Sequence, residues 1–239
     1  MTTLHDYRTI DIGETTTAIE VEKSRFVAYA YRLDDPEKVT EYLQELRRTQ
    51  PGISHMCYAY TIDSIQKCCD DGEPAGTAGV PILQAIQQAG FDHVLVVVTR
   101  YFGGIKLGTG RLARAYAEVT QKVLKIAFHY HMRVCSVARM VFTYQQFNVI
   151  EMFIQNESQL LHVDFKKEVT AEVAKPVAEF PELIDRLTKV LHQKPRFTML
   201  EEQIISFLET NVFAPLKIWQ STIKMQSTDA YWWLWKSCG

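Results

Sequence analysis

Cysteine is scarce in this chain of 239 residues: Cys57, Cys68, Cys69, Cys135 and Cys238. An odd count without framework spacing excludes a disulfide-stapled scaffold. With an N-terminus that has no apolar signal core, it makes the cytoplasm the expected compartment. No apolar run reaches the roughly 20 residues that a membrane span needs, so no membrane partner is expected. Charge of one sign is missing too: 26 Lys and Arg against 28 Asp and Glu leave a net charge of −2, which removes any global nucleic-acid signal. Zinc-ligand spacing is absent, because His55 and Cys57 followed by adjacent Cys68 and Cys69 fit no common pattern; ordinary reduced cysteines, no metal and no cofactor are expected. Nucleotide fingerprints are also missing. GTGRLA lacks the GxxxxGK(S/T) spacing and GGIKLG is not GxGxxG.

What the chain does have is a pair of glycine-rich runs that each lead into a helix: DDGEPAGTAGVP over 70–81 and RYFGGIKLGTGRLARAY over 100–116. Glycine permits positive φ and close backbone approach, so a run with Gly72, Gly76 and Gly79, then Gly103, Gly104, Gly108 and Gly110, is shaped for a site. Thr109 is the expected N-cap of the second helix. Free amides there, with Arg100, Lys106, Arg111 and Arg114 nearby in sequence, make the composition of an anion or phosphate site. From Arg100 to Arg133 the basic residues are Arg100, Lys106, Arg111, Arg114, Lys122, Lys125 and Arg133, against the single acid Glu118. A local basic face is therefore compatible with the neutral total.

The 239 residues, 47% of them hydrophobic, suffice for one large core or two small ones. Strands are expected over 15–21 and 25–33. Asp35 and Pro36 then open a helix to about residue 48. A hairpin over 55–62 and 65–69 turns at Asp63-Ser64 and delivers the acidic loop. Pro81 opens a short helix closed by Gly90, and 93–99, with its VLVVV core, reads as a buried strand that feeds Arg100. Leu112, Tyr116, Val119, Val123 and Ile126 mark an amphipathic helix. Its charged side, taken alone, is a solvated face; beside a glycine-rich helix start it also suits a polyanion. After Val134 the pattern is strand 134–144, helix 145–155, strands 160–165 and 167–175, helix 179–191 and a strand over 196–203, the βαββαβ order of a ferredoxin-like sandwich. An α+β chain of two domains, 1–133 and 134–205, is expected. A tail over 206–239 holds all four tryptophans, Trp219, Trp232, Trp233 and Trp235, and is expected to dock within the molecule.

The two glycine runs carry a specific resemblance. The chain resembles the YigZ/Impact family in Asp70, Asp71, Gly72, Glu73, Pro74, Gly76, Thr77, Ala78, Gly79 and Pro81, and in Arg100 to Gly104, Lys106, Leu107, Gly108, Gly110, Arg114, Ala115 and Tyr116. Lys23 to Phe26 and His55, Cys57, Ala59 and Tyr60 fit the same pattern. Val80 stands where the family has a basic residue, and Arg111 where it has glycine. The resemblance implies an N-terminal domain similar to a fold of ribosomal small-subunit and other RNA-handling proteins, and a C-terminal domain similar to one of elongation factor G. It also implies a role in translation, since eukaryotic members are tied to control of initiation under amino-acid stress. They use a further partner-binding domain for that role.

Two readings of the site follow. In the first, the glycine amides of Gly76, Gly79, Gly103, Gly104, Gly108 and Gly110, with Thr77, Thr109, Arg100, Lys106, Arg111 and Arg114, bind an RNA phosphate or the acidic group of a ribosome-associated protein. In the second, His55, Asp70, Asp71 and Glu73 serve a hydrolase or transferase acting on a phosphorylated or amide substrate, which requires two carboxylates and His55 to converge. No nucleophile, metal signature or triad order appears, so the binding reading leads. The oligomeric state is left open.

Overall fold

The structure is a computed structural model that describes residues 4–209, so the Trp-rich segment from 210 onward lies outside the described residues. In chain order the elements are β1 (Tyr7–Ile10), β2 (Thr15–Val21), β3 (Ser24–Arg32), α1 (Val39–Thr49), β4 (His55–Ile62), β5 (Ile65–Cys69), α2 (Gly79–Gln88), β6 (Val94–Tyr101) and α3 (Thr109–Ile126). There follow β7 (His129–Phe142), α4 (Tyr144–Glu157), β8 (Gln159–Phe165), β9 (Val169–Pro176), α5 (Phe180–Leu191), β10 (Arg196–Met199) and β11 (Gln203–Leu208).

The first sheet has five strands in the order β2-β3-β6-β4-β5, all pairs antiparallel. Its central strand is apolar at every position from 94 to 98 because both faces are covered. Val94, Val96 and Val98 pack with Ile82 and Ile86 of α2 and Leu112, Tyr116, Val119 and Val123 of α3. Leu95 and Val97 face the other way, toward Val39 and Leu46 of α1. Each fully buried aliphatic side chain of this kind contributes about 1.5–3 kcal/mol.

The second sheet is built on the long β7. The order β10-β7-β9-β8, with α4 and α5 packed through Phe147, Ile150, Ile154, Leu183 and Leu187, is the ferredoxin-like βαββαβ sandwich. A capping box starts α4: Thr143 accepts from the Gln146 amide at 3.2 Å, and the Gln146 side chain accepts from the Thr143 amide at 2.9 Å. The protein is thus of the α+β class. Two strands depart from expectation. The segment 196–203 divides into β10 and the start of β11, both paired with β7, and β1, whose four residues carry little pattern, pairs with His129 to Met132. The expected domain boundary at 133/134 falls within β7.

Helix starts differ as well. Asp35 caps a single 3-10 turn over Pro36–Lys38, its carboxylate accepting from Glu37 N at 2.9 Å, and α1 proper begins at Val39. The N-cap of α3 is Gly108, at φ +75°, and Thr109 is the first helical residue, so no side chain caps this helix. Only glycine holds that φ without steric penalty, which displaces threonine from the role.

The tight β2–β3 turn places Glu22 and Lys23 at φ 48° and 64°, the two positive values of a type I′ hairpin. Gly103 lies against it: a Cβ there would sit 2.1 Å from the Lys23 carbonyl carbon and oxygen. The Gly103→Ala variant is therefore expected to lose about 1–3 kcal/mol in urea unfolding by overpacking. Gly104, with open space around it but φ +85°, should lose only about 1–2 kcal/mol on the same substitution.

Candidate functional site

The register of the first sheet sets Arg100, near the end of β6, opposite Phe26 on β3 and His55 on β4. Arg100 is buried, as is Glu73, and the two form a forked ion pair, Nη1 to Oε1 at 2.8 Å and to Oε2 at 3.0 Å. Tyr116 donates its hydroxyl to Glu73 Oε1 at 2.9 Å from α3. Ser24 Oγ accepts from Gly103 N at 3.2 Å and lies 3.5 Å from Arg100 Nη2. Phe26 and Phe102 lie against the guanidinium, each ring centroid 5.5 Å away. Arg100 Nε, also buried, has no hydrogen-bond partner among the described residues. Burial, with the Cys57 thiol and the Glu73 carboxylate adjacent, pushes the Tyr116 phenol far up, so it stays protonated and donating.

The other acids are each occupied. Asp70 accepts from the amides of Gly76 (2.8 Å), Ala78 (2.9 Å) and Gly79 (2.8 Å) and so caps α2 from outside the helix. That explains why α2 starts at Gly79, two residues before Pro81. Burial raises the Asp70 carboxyl, the three amides lower it, and the amides prevail: its pKa lies below the ordinary aspartate value. Asp71 accepts from Met56 N at 2.7 Å and faces the exposed Arg47 at 3.4 Å. His55 lies 2.9 Å from the Asp71 carbonyl through Nδ1. A carbonyl only accepts, so Nδ1 carries a proton there, and Nε2 faces Glu73 Oε2, 4.0 Å away. Cys57 is buried behind them, its thiol donating to the Asp70 carbonyl at 2.9 Å, and burial drives its pKa up, away from reactivity.

In front of this network a cleft of about 380 Å³ is lined by His55, Glu73, Pro74, Arg100, Phe102, Lys106, Leu107, Gly108, Thr109 and Leu112. Both glycine runs thus reach one cleft. Of the residues singled out from sequence, His55, Glu73, Arg100, Lys106, Gly108 and Thr109 line it, whereas Asp70, Asp71, Gly76, Thr77 and Gly79 form the loop behind. Thr77 is buried, its hydroxyl donating to Pro74 O at 2.6 Å, and Gly79 abuts the Cys69 backbone. Gly103 packs on the β2–β3 turn, Gly104 is exposed beyond it, and Gly110 sits in the first turn of α3. Arg111 is held away from the cleft by Leu107 O and Glu22, both at 3.1 Å. Arg114 folds back on the helix start: a Cβ on Gly110 would lie 4.0 Å from its Nη2. Tyr116, Ser24 and Phe102 entered the sequence reading as family-matching positions, with Tyr116 and Phe102 read as core, and not as site residues. The RYF triplet held the signal for Phe102, since a strand that puts Arg100 inward leaves a residue two places on beside it; at 50% exposure Phe102 is no core residue.

A cleft between two glycine-bearing loops on an antiparallel sheet, in one chain with a ferredoxin-like sandwich, defines an α+β class. Residues 22–124 match the Impact N-terminal domain. The IMPACT family member YigZ of Escherichia coli is 30% identical over 199 residues, which span 81% of this chain and 98% of YigZ. The IMPACT family member YvyE of Bacillus subtilis is 44% identical over 119 residues, 48% of this chain and 54% of YvyE, so that match spans about half of the relative. A crystal structure described as that of a hypothetical protein is similar at TM-score 0.53 and 26% identity, covering 84% of this chain and 100% of that one. The chain belongs to the IMPACT family.

Removing one member of a buried ion pair strands the other. Glu73→Gln is expected to cost about 3–5 kcal/mol in denaturant unfolding, against about 1–2 kcal/mol for Tyr116→Phe, which removes the hydrogen bond to Glu73 and the weak one with the Cys57 thiol. For Asp70, whose native pKa is depressed, the stabilisation is present above the unfolded value of about 3.9 and is lost as pH falls through the lower native value. Asp70→Asn should therefore cost about 1–2 kcal/mol at pH 7, and its unfolding midpoint should converge with that of the unsubstituted chain as pH falls through the depressed native value.

Proposed function

We propose that this chain is a translation-linked regulatory protein whose cleft holds a phosphate of single-stranded RNA at the start of α3. The observation that carries the reading is the state of that helix start. No side chain caps α3, so its first amides are open. Lys106 beside it and Arg114 folded over it make no ion pair or hydrogen bond among the described residues. Open amides, the positive end of an 18-residue helix and two uncommitted cations together favour an anion. Exposed Phe102 at the mouth offers a face on which a base can stack. Family membership supports the link to translation through the role that the resemblance implies for eukaryotic members. The acids argue for binding over turnover. Glu73 neutralises Arg100, Asp70 caps α2 and Asp71 binds Met56 N, so each of the three carboxylates has a structural partner.

Fluorescence anisotropy of a labelled single-stranded RNA, titrated with the full chain at stepped NaCl, tests this. Binding should weaken with salt, and Lys106→Ala or Arg114→Ala should each lower the log–log slope by about 0.7, one phosphate's worth. Phe102→Ala should cost about 1–3 kcal/mol with little change in slope, and base composition should matter little to either cation variant. Lys125→Ala is the control. It lies sixteen residues along α3 from Thr109, about 24 Å from the helix start, and should change nothing. Equal losses for Lys125→Ala and Lys106→Ala would leave only a diffuse basic face, and absence of any RNA binding would remove the RNA reading.

A further inference from the structure

A phosphate at α3 and a base on Phe102 give no role to one polar side chain of the cleft wall, His55. Its ring is fixed from two sides. On the backbone, His55 lies opposite Arg100 in the register of β4 with β6, and Ser54 N donates to Arg100 O at 2.9 Å. On the side chain, Nδ1 donates to the Asp71 carbonyl at 2.9 Å, and Gly72 lies against the ring, where a Cβ would stand 3.6 Å from Nδ1 and 3.7 Å from Cε1. The second nitrogen is uncommitted. Nε2 makes no hydrogen bond among the described residues, faces Glu73 Oε2 across 4.0 Å, and belongs to a side chain that is still 28% exposed.

That gap selects a particular chemical group. Glu73 Oε1 takes Arg100 Nη1 at 2.8 Å and the Tyr116 hydroxyl at 2.9 Å, whereas Oε2 takes only Arg100 Nη1, at 3.0 Å, and so retains acceptor capacity. A separation of 4.0 Å is too long for a direct bond, yet a single oxygen about 2.8 Å from each atom spans it. A phosphate oxygen only accepts, and the Glu73 carboxylate repels it there. A hydroxyl suits both atoms: it donates to Glu73 Oε2 while accepting from Nε2–H, and it donates to Nε2 where that nitrogen carries no proton. The covalent order of a nucleotide supplies such a group. With the phosphate at α3 and the base on Phe102, the remaining wall of the cleft is left to the sugar between them.

We propose that His55 Nε2, together with Glu73 Oε2, holds a ribose 2′-hydroxyl and makes the cleft select RNA over DNA. The proposal rests on the RNA reading of the cleft and adds its sugar selectivity. Lys106 and the α3 amides meet the phosphate that both nucleic acids share, whereas His55 meets the one group that only RNA carries.

Anisotropy titrations of the full chain at one NaCl concentration compare three labelled single strands: RNA, DNA of the same base sequence with uracil in place of thymine, and 2′-O-methyl RNA, which has lost the hydroxyl donor. RNA should bind about tenfold tighter than either of the others, the worth of one hydrogen-bonded group. His55→Asn keeps a short amide for the Asp71 carbonyl and removes the nitrogen that faces the cleft. It should bring the RNA-to-DNA ratio close to one, with the salt slope for RNA retained because no phosphate contact is lost. A purely structural role for His55 would instead weaken RNA and DNA alike and leave the ratio standing. Equal affinity of the unsubstituted chain for RNA and DNA, or a ratio that survives His55→Asn, would overturn the proposal while leaving the phosphate site in place; failure to bind any of the three strands would remove the RNA reading and this one with it.

Discussion

The forked ion pair between Glu73 and Arg100 is the interaction on which the rest of the cleft depends. Its members come from the acidic loop and from the end of the central strand, so forming it draws the first glycine run onto the second. Burying two charges is expensive, and the surroundings reduce that cost unevenly. Glu73 is shared between a guanidinium and a phenol, and Arg100 lies between two aromatic rings, yet Arg100 Nε is left without a partner. Because Glu73 neutralises Arg100 internally, Arg100 adds little field to the cleft. The charge available to an anion comes from Lys106 and Arg114, and Arg100 serves mainly to hold the walls in place.

That division of labour follows from sheet register. Arg100 is the position at which β6 passes from a fully apolar stretch to the sheet edge, with Phe26 on one neighbour and His55 on the other. One step earlier, Thr99 is buried on the opposite face of the strand, its hydroxyl donating to the Val27 carbonyl at 3.5 Å. One step later, Tyr101 already faces the opposite side, against the α1 layer. The glycines divide in the same way. Gly103 and Gly79 are small because backbone passes close by, which is a packing demand, and Gly108 is needed where the chain turns into α3.

Where apolar periodicity is strong, the sequence was readable: the buried β6, the stripe on α3 and the βαββαβ order all follow from the spacing of hydrophobic residues. Both glycine runs reach one cleft. Pairing of individual charges was not readable. Asp70, Asp71 and Glu73 lie within four residues and have three unrelated partners, namely the α2 amides, Met56 N and Arg100, chosen by the direction of each side chain along an irregular loop. Thr109 had the chemistry of a cap and lost the role to Gly108 on φ alone.

The two ends of β6 consequently have opposite electrostatic character. From His93 to Arg100 the chain advances seven residues, about 24 Å at strand rise, with carboxylates at the first end and uncommitted cations near the second. At physiological ionic strength the Debye length is about 8 Å, so a charge change at one end is largely screened at the other through solvent. Coupling between them would have to pass through the strand, which is buried on both faces and hydrogen-bonded on both edges and has no second arrangement to adopt. A change of charge at the first end is therefore not transmitted to the cleft through the strand.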